Sequence, residues 1–409
     1  MNKEIFKKDV MTKIKEINRA DIMVGIPSYN NAKTIIHVVK MVAEGMVKYF
    51  PKLKHVILNS DGGSTDETRS IVLNTKIPEG VDVITTEYKG IPGKGSSFRT
   101  IFEAANVLGV KACVVVDSDL RSITPEWIML LAKPIIDEGY GYVTPYYVRH
   151  KYDATITNSI AYPLTRALYG KRIRQPIGGD FGFSKELTKS YLKKDVWNTD
   201  VAKYGIDIWM TTTAINEGYK ICQAQLGTKI HDIKDPALTL GPMFIQVVGT
   251  LFSLIGTYHD NWKDIKGSES VLKYGKAKED KVESINVSIK SMIDKFKVGI
   301  KEFGFILNRI LDPENYSAIE KISELSYSDF LFPPDLWTRS VYDFALAYNK
   351  KIEGLDPDEI VQIMTPLYYG RTASFVIESQ DMTTKEAENL IEDLSITFEK
   401  LKPYLIKRW

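Results

Sequence analysis

The chain has 409 residues, of which 44% are apolar and 26% charged, with a formal net charge of +2. This composition can fill a packed core, expected as one large domain plus a smaller one, and it excludes a disordered chain. The near-neutral balance, with no stripe of basic residues interleaved with aromatics, gives no reason to expect nucleic acid as a partner.

The N-terminus, with Lys3, Glu4, Lys7, Lys8 and Asp9, lacks the apolar core of a secretory signal and reads as a short amphipathic helix. From there strand and helix alternate. Strands are expected at Ile22 to Ile26, Val56 to Leu58, Val81 to Thr85 and Ala112 to Val116. Helices are expected from Thr34 to Tyr49, from Asp66, and from Gly95 to Leu108. This alternation predicts an α/β fold with a mostly parallel sheet, right-handed crossovers and flanking helices. A helix from Asp153 to Gly170, a turn at Gly178 and Gly179, and a helix from Ser184 follow. The apolar stretch Leu238 to Tyr258 is interrupted by Gln246, Gly249, Ser253 and Gly256, and is read as a buried or oligomer-forming helix, not a membrane span. Beyond Trp262 the chain turns to Lys- and Glu-rich helices separated by Pro313, Pro333, Pro334, Pro357 and Pro366, ending in an amphipathic helix from Thr384 to Leu401. The expected division is a catalytic domain over residues 1–260 and a helical region over 261–409 that packs, oligomerises or shapes an acceptor site. Cys113 and Cys222 lie in apolar runs without Cys-x-x-Cys spacing. They read as small core residues of a cytoplasmic protein.

The chemistry sits where strands end. The unbroken apolar run Ala112 to Val116 delivers Asp117, Ser118 and Asp119 to the carboxyl edge of the sheet, where ligands bind in doubly wound folds. Two carboxylates one residue apart suit Mg²⁺ or Mn²⁺, hard ions that take carboxylate, water and phosphate oxygens. The first strand ends in Pro27, Ser28, Tyr29 and Asn30, and the second in Asp61, Gly62, Gly63, Ser64 and Thr65. There Asp61 could accept a hydrogen bond from a base or ribose, and Ser64 or Thr65 could cap the next helix. Gly93, Lys94 and Gly95 open a helix, which makes an anion site. The spacing of a P-loop is absent, as is a Rossmann dinucleotide fingerprint. What remains is a nucleotide site in which a metal neutralises the diphosphate.

Together these segments resemble the GT-A fold glycosyltransferases, and among them the retaining glucosyl-3-phosphoglycerate, glucosylglycerate and mannosylglycerate synthases. The resemblance runs from Ile22 to His231 through Pro27 to Asn30, Asp61 to Thr68, Pro92 to Gly95, Val116 to Leu120, Gln175 to Asp180 and Tyr204 to Asp207. It implies that Pro27, Tyr29, Asn30, Asp61, Gly62, Lys94, Asp117 and Ser118 bind the nucleotide. It implies further that Gly178, Gly179 and Asp180 hold the donor sugar, and that Thr157, Tyr204 and Asp207 meet the acceptor. Asp117, Asp119 and His231 would hold Mg²⁺ or Mn²⁺, and Lys94, Asp180 and Asp207 would be the catalytic side chains. The donor would be GDP-, UDP- or ADP-glucose, or GDP-mannose. The acceptor would be D-glycerate or 3-phosphoglycerate, the enzyme a homo-oligomer, and its product a glucosylglycerate-type compatible solute.

Three departures stand out. Asp180 and Asp207 replace family glutamates, and Ala154 and Thr155 stand where the phosphoglycerate enzymes have Gly and Arg. Without that arginine a phosphate loses a bidentate partner, so free glycerate is the expected acceptor. Arg149, Lys151, Arg166, Lys171, Arg172 or Arg174 could still supply charge from another direction. The rival readings are a polyprenyl-phosphate hexosyltransferase, a nucleotidyltransferase and a non-catalytic nucleotide-sugar sensor.

Overall fold

The computed structural model describes residues 6–231, 236–279 and 281–409, the side chains of 236–240 excepted. Lys3 and Glu4 therefore lie outside the described residues; a helix follows at Lys8–Ile17. The strands are β1 (Ile22–Ser28), β2 (His55–Asp61), β3 (Val81–Glu87), β4 (Ala112–Val115), β5 (Tyr142–Val148), β6 (Lys171–Arg172), β7 (Phe181–Ser184), β8 (Ile221–Thr228), β9 (Glu269–Ser270) and β10 (Lys273–Tyr274). Eight of them form one sheet in the order β10-β8-β5-β7-β4-β1-β2-β3. All pairings in it are parallel except those of β7, which runs antiparallel to β4 and β5. The fold is thus the expected mostly parallel α/β sheet.

β4 is buried along its whole length, which is why its sequence is continuously apolar. Val114 and Val116 join Ile22, Val24, Val38, Val42, Trp127 and Leu131 in one apolar cluster. Phe102, Phe183 and Tyr191 form an aromatic contact group, with the Phe102 and Phe183 rings 5.1 Å apart and nearly perpendicular. A strand filled on both faces brings Asp117 and Asp119 to its carboxyl end with little positional freedom.

The chain divides into two compact units, and their boundary departs from the expected one near residue 260. Unit 1 comprises residues 1–148, 177–234 and 271–282; unit 2 comprises 149–176, 235–270 and 283–409. Long-range pairing decides this. β10 adds to β8 in parallel and carries 271–282 into unit 1, whereas β6 pairs with β9 inside unit 2.

Unit 2 is helical. Pro313, Pro334 and Pro357 each open a helix at its first position, where a missing N–H costs nothing. Pro366 does not separate helices as expected but lies inside Pro357–Ser379, its ring against Gly299 of the helix Ile289–Ile310. The final helix is longer than its apolar pattern suggested, Thr384–Arg408, and opens with a capping box of Thr383 and Glu386. The expected helix after Asp153 is present, but residues 157–161 form a π-turn leading into Tyr162–Tyr169. The apolar stretch forms the helix Pro236–Thr257, with Phe244, Val248, Phe252 and Ile255 fully buried. Among the described residues no helix is long and apolar enough to cross a membrane.

Lys402, 5% exposed, donates to the carbonyls of Trp262 and Ile265 at 2.7 Å and of Leu168 at 3.4 Å. Burial pushes its ammonium down from 10.5 to about 8, against the pull of Asp264 and Glu399. Because the folded form releases this proton before the unfolded chain does, the unfolded state binds more protons between those two values and stability gains from this group as pH rises. Urea unfolding of wild type and Lys402→Met at pH 7.5 and pH 10 should therefore differ in slope. Wild type should gain on the variant at the higher pH, and equal pH dependence would refute the assignment.

Candidate functional site

The carboxyl ends of β1, β2 and β4 form one mouth in unit 1. Asp61 is completely buried there. Its Oδ1 accepts the N–H groups of Gly63 and Ser64 at 3.0 and 2.7 Å, and its Oδ2 accepts the hydroxyls of Ser28 and Ser64 at 2.8 and 2.6 Å. All four lone-pair directions are thus used inside the protein, so Asp61 braces the mouth. Asn30, with φ of 54°, is likewise tied inward: its Oδ1 accepts the Thr65 N–H at 2.9 Å and its own N–H reaches Ser64 Oγ at 2.8 Å. Ser64 and Thr65 are spent on these links and do not cap the helix Thr68–Asn74; its N-cap is Glu67, and Asp66 just before it accepts the Thr68 N–H at 3.0 Å.

Ser118 is buried and donates to Asn31 Oδ1 at 2.8 Å, locking β4 to the loop after β1. Pro27 is half-buried at the end of β1. Tyr29, 63% exposed, presents its ring at the mouth beside Gly62. Tyr204 is 39% exposed, and burial pushes the Tyr88 hydroxyl up. That hydroxyl accepts the Gly93 N–H at 2.9 Å.

Lys94 is the first residue of the helix Lys94–Leu108. The helix start fits against residues 201–203 so closely that a Cβ on Gly95 would lie 1.8 Å from the Val201 carbonyl oxygen. Both Lys94 and the helix N-terminus thus bring positive potential to the site. The Lys94 ammonium sits 3.2 Å from Asp117 Oδ1 and 3.4 Å from each oxygen of Asp207. On the other side of Asp117, Lys229 Nζ donates to Asp117 Oδ2 at 2.8 Å, to Asp180 Oδ2 at 2.9 Å and to the Gly178 carbonyl at 2.8 Å. Asp180 is completely buried; its Oδ1 accepts the Asp117 N–H at 2.9 Å and its Oδ2 also accepts the Tyr147 hydroxyl. Asp207, in the first turn of the helix Ile206–Asn216, accepts the Gly178 and Gly179 N–H groups at 3.3 and 3.0 Å. Its Oδ1 is buried and faces Lys94 without a hydrogen bond of its own.

Three carboxylates and two ammonium groups thus form one connected cluster, and their environments differ. Burial alone would raise the Asp117 carboxyl, but Lys229 and Lys94 hold it far below the usual carboxylate range. Burial would likewise lower Lys94, yet Asp117 and Asp207 keep it firmly protonated. For Asp207 burial prevails over the attraction of Lys94 and the carboxyl is raised.

Of the residues expected to act together, the structure joins Lys94, Asp117, Gly178, Gly179, Asp180 and Asp207. Thr157 is buried in the π-turn of unit 2. Asp119 and His231 are half-buried beside each other in sequence register, since Leu120 forms an antiparallel bridge with His231. Among the described residues no group of three His, Cys, Asp or Glu side chains is placed to hold a metal ion. With both Asp117 oxygens on lysines, the donor set at this edge is a carboxylate and an imidazole. The carboxylate suits Mg²⁺ or Mn²⁺, which retain water and phosphate oxygens alongside one or two protein ligands.

The sequence reading missed Lys229, Tyr147 and Asn31. For Lys229 a signal existed. It is a cation immediately beyond β8, a strand parallel to β5 that ends at the same edge of the sheet.

Residues 23–193 match the family described as glycosyl transferase family 2. The chain is a glycosyltransferase. This transferase is 25% identical over 264 residues to a glucosyl-3-phosphoglycerate synthase of Petrotoga mobilis, spanning 61% of its own chain and 77% of that protein. It is 28% identical over 146 residues to a mannosylglycerate synthase of Rhodothermus marinus, spanning 34% of its own chain and 36% of that one. Among solved structures it is similar to a Mycobacterium tuberculosis glucosyl-3-phosphoglycerate synthase in complex with Mn²⁺, UDP and phosphoglyceric acid. There the identity is 25%, the TM-score 0.47, and 59% of this chain and 82% of that one are covered.

Gly179 carries the sharpest local test. Its φ is +88°, and a Cβ there would lie 2.0 Å from Asp117 Oδ2. In the transferase, Gly179→Ala should combine left-handed strain with a clash against the half-buried Asp117 carboxylate, a loss of about 2–4 kcal/mol in urea unfolding. An unchanged midpoint would contradict the close packing of this turn on Asp117.

Proposed function

We propose that the transferase moves a hexose, glucose or mannose, from a nucleoside diphosphate sugar to the hydroxyl of D-glycerate, with retention at the anomeric carbon. The observation that carries this reading is the connected cluster of Lys94, Lys229, Asp117, Asp180 and Asp207 at the carboxyl edge of the sheet. Asp119 and His231 would hold Mg²⁺ or Mn²⁺, which supplies neutralising charge for the diphosphate leaving group. Lys94, fixed in its protonated form at a helix N-terminus, adds positive charge where the glycosidic bond breaks. Asp180 and Asp207 position sugar and acceptor, and no covalent intermediate is assigned to either. The exposed Tyr29 ring offers a stacking surface for the base.

The choice of glycerate over 3-phosphoglycerate rests on unit 2. Thr155 stands where the phosphoglycerate enzymes have Arg, and its hydroxyl bonds to the Tyr368 hydroxyl at 2.5 Å. Ala154 keeps a φ of 55°, the left-handed conformation that a glycine takes freely. The basic side chains that could have replaced the arginine are engaged within unit 2. Arg174 makes a two-pronged pair with Glu388, both contacts at 2.9 Å. Arg166 reaches Glu392 at 2.5 Å and Glu399 at 2.7 Å. Lys151 donates to the carbonyls of Ser379, Gln380 and Met382, Lys171 meets Glu269, Arg172 meets Ser268 and Arg149 faces Asp153. A phosphate would have to compete with these partners.

The similarity to the Petrotoga mobilis enzyme favours the second reading, transfer to 3-phosphoglycerate. A polyprenyl-phosphate acceptor is less well supported, because Phe244, Val248, Phe252 and Ile255 of the apolar helix that would anchor it are buried inside unit 2.

Release of nucleoside diphosphate, corrected for hydrolysis, should be measured with Mg²⁺ or Mn²⁺ across UDP-, GDP- and ADP-glucose and GDP-mannose. The expected result is metal-dependent release with D-glycerate as acceptor. Release with 3-phosphoglycerate alone would overturn the acceptor assignment, and no release with either would leave the lipid-acceptor or sensor readings standing.

A further inference from the structure

A β-bulge precedes Lys229. β5 and β8 pair Tyr146 with Gln225 and then Tyr147 with Gly227, so Leu226 is the extra residue. A bulge bends the strand and re-aims the side chains beyond it. Here it is followed by Gly227 at φ +76°, packed against the Lys278 carbonyl, and by the Lys229 N–H donating to Val148 at 3.2 Å. The result is an ammonium group whose side chain is only 3% exposed. Its three acceptors come from two separate places, Asp117 just beyond β4, and Gly178 with Asp180 in the turn before β7. It also lies 5.0 Å above the Tyr147 ring, whose hydroxyl reaches Asp180 and, at 3.3 Å, the Gly178 carbonyl.

A buried ion cluster is weak evidence for stability, since apolar residues replacing the whole cluster often do as well, although removing the lysine alone strands its carboxylates. What the lysine supplies is geometry. It holds two carboxylates that would otherwise repel within reach of one ammonium, and it fixes the carbonyl of the residue before Gly179.

We propose that Lys229 is a positioning residue for hexosyl transfer, one that presets the Gly178–Gly179–Asp180 turn against Asp117 before the donor binds. The proposal rests on the reading that this turn receives the donor sugar. Lys229 acts through Asp180, so its effect belongs to turnover and not to capture of the nucleotide.

The test is Lys229→Met in the full chain, with kcat and KM measured for whichever of UDP-, GDP- and ADP-glucose or GDP-mannose the wild type uses. Calorimetric affinity for the matching free nucleoside diphosphate and a circular-dichroism melt complete it. The expected result is a fall of about 10- to 100-fold in kcat, as for loss of other orienting side chains, with nucleotide affinity retained in the folded variant and a lowered melting temperature from the Asp180 carboxylate left without its cation. Combined with Asp180→Asn, the second substitution should add little to the first. If Lys229→Met does not fold, Lys229→Gln keeps a donor for the Gly178 carbonyl and should show the same split. A wild-type kcat in a folded variant, a loss confined to nucleotide affinity, or fully multiplicative effects with Asp180→Asn would each overturn the proposal. Absence of any donor turnover by the wild type would instead overturn the functional reading on which it rests.

Discussion

The carboxylate of Asp117, shared between the ammonium groups of Lys94 and Lys229, is the constraint on which the rest of the site depends. A carboxylate largely withdrawn from water is disfavoured unless it is paired and hydrogen-bonded, and here each oxygen of the half-buried Asp117 has its own cation. Each cation in turn needs further acceptors, which Asp207 and Asp180 provide. The chain must therefore bring a helix start, two strand ends and a tight turn to one point. Gly95 lets the helix start approach residues 201–203, Gly179 leaves room for Asp117, and the bulge in β8 delivers Lys229. None of these features is needed to build an α/β sheet. All of them are needed to build this cluster on one.

Much of the fold was legible in the sequence. The run Ala112 to Val116 announced a strand covered on both faces, and its acids fell at the carboxyl edge as expected. Strand and helix alternation gave the parallel sheet because each crossover is local and its period is visible in a short window. What stayed hidden depends on distant partners. The domain boundary was misplaced because 271–282 return to the sheet through β10, a two-residue strand with no periodic signal. Asp61 carries the pattern of a ligand-facing acid, and only the positions of Ser28, Gly63 and Ser64 reveal that its oxygens are used internally. Lys229 is 112 positions from Asp117 and 49 from Asp180, so no spacing rule links them.

Unit 2 shows the same logic with the opposite outcome. Its buried arginines are held by glutamates of the final helix, Arg166 by Glu392 and Glu399 and Arg174 by Glu388. Such pairs direct specificity because a buried guanidinium is costly to leave without a carboxylate. In the sequence these arginines looked like free charge available to an anion; in the folded unit they belong to the helix that covers them. A strongly basic segment is thus turned into an internal scaffold.

Turnover by Asp117→Asn tests the central claim most directly, since this change removes the charge that both lysines share while preserving the shape of the side chain. Measured on the nucleotide sugar that the wild type uses, with a circular-dichroism melt to confirm folding, transfer should fall about 100-fold or more. A folded variant with turnover close to that of the wild type would contradict the view that this cluster is where the hexose is transferred.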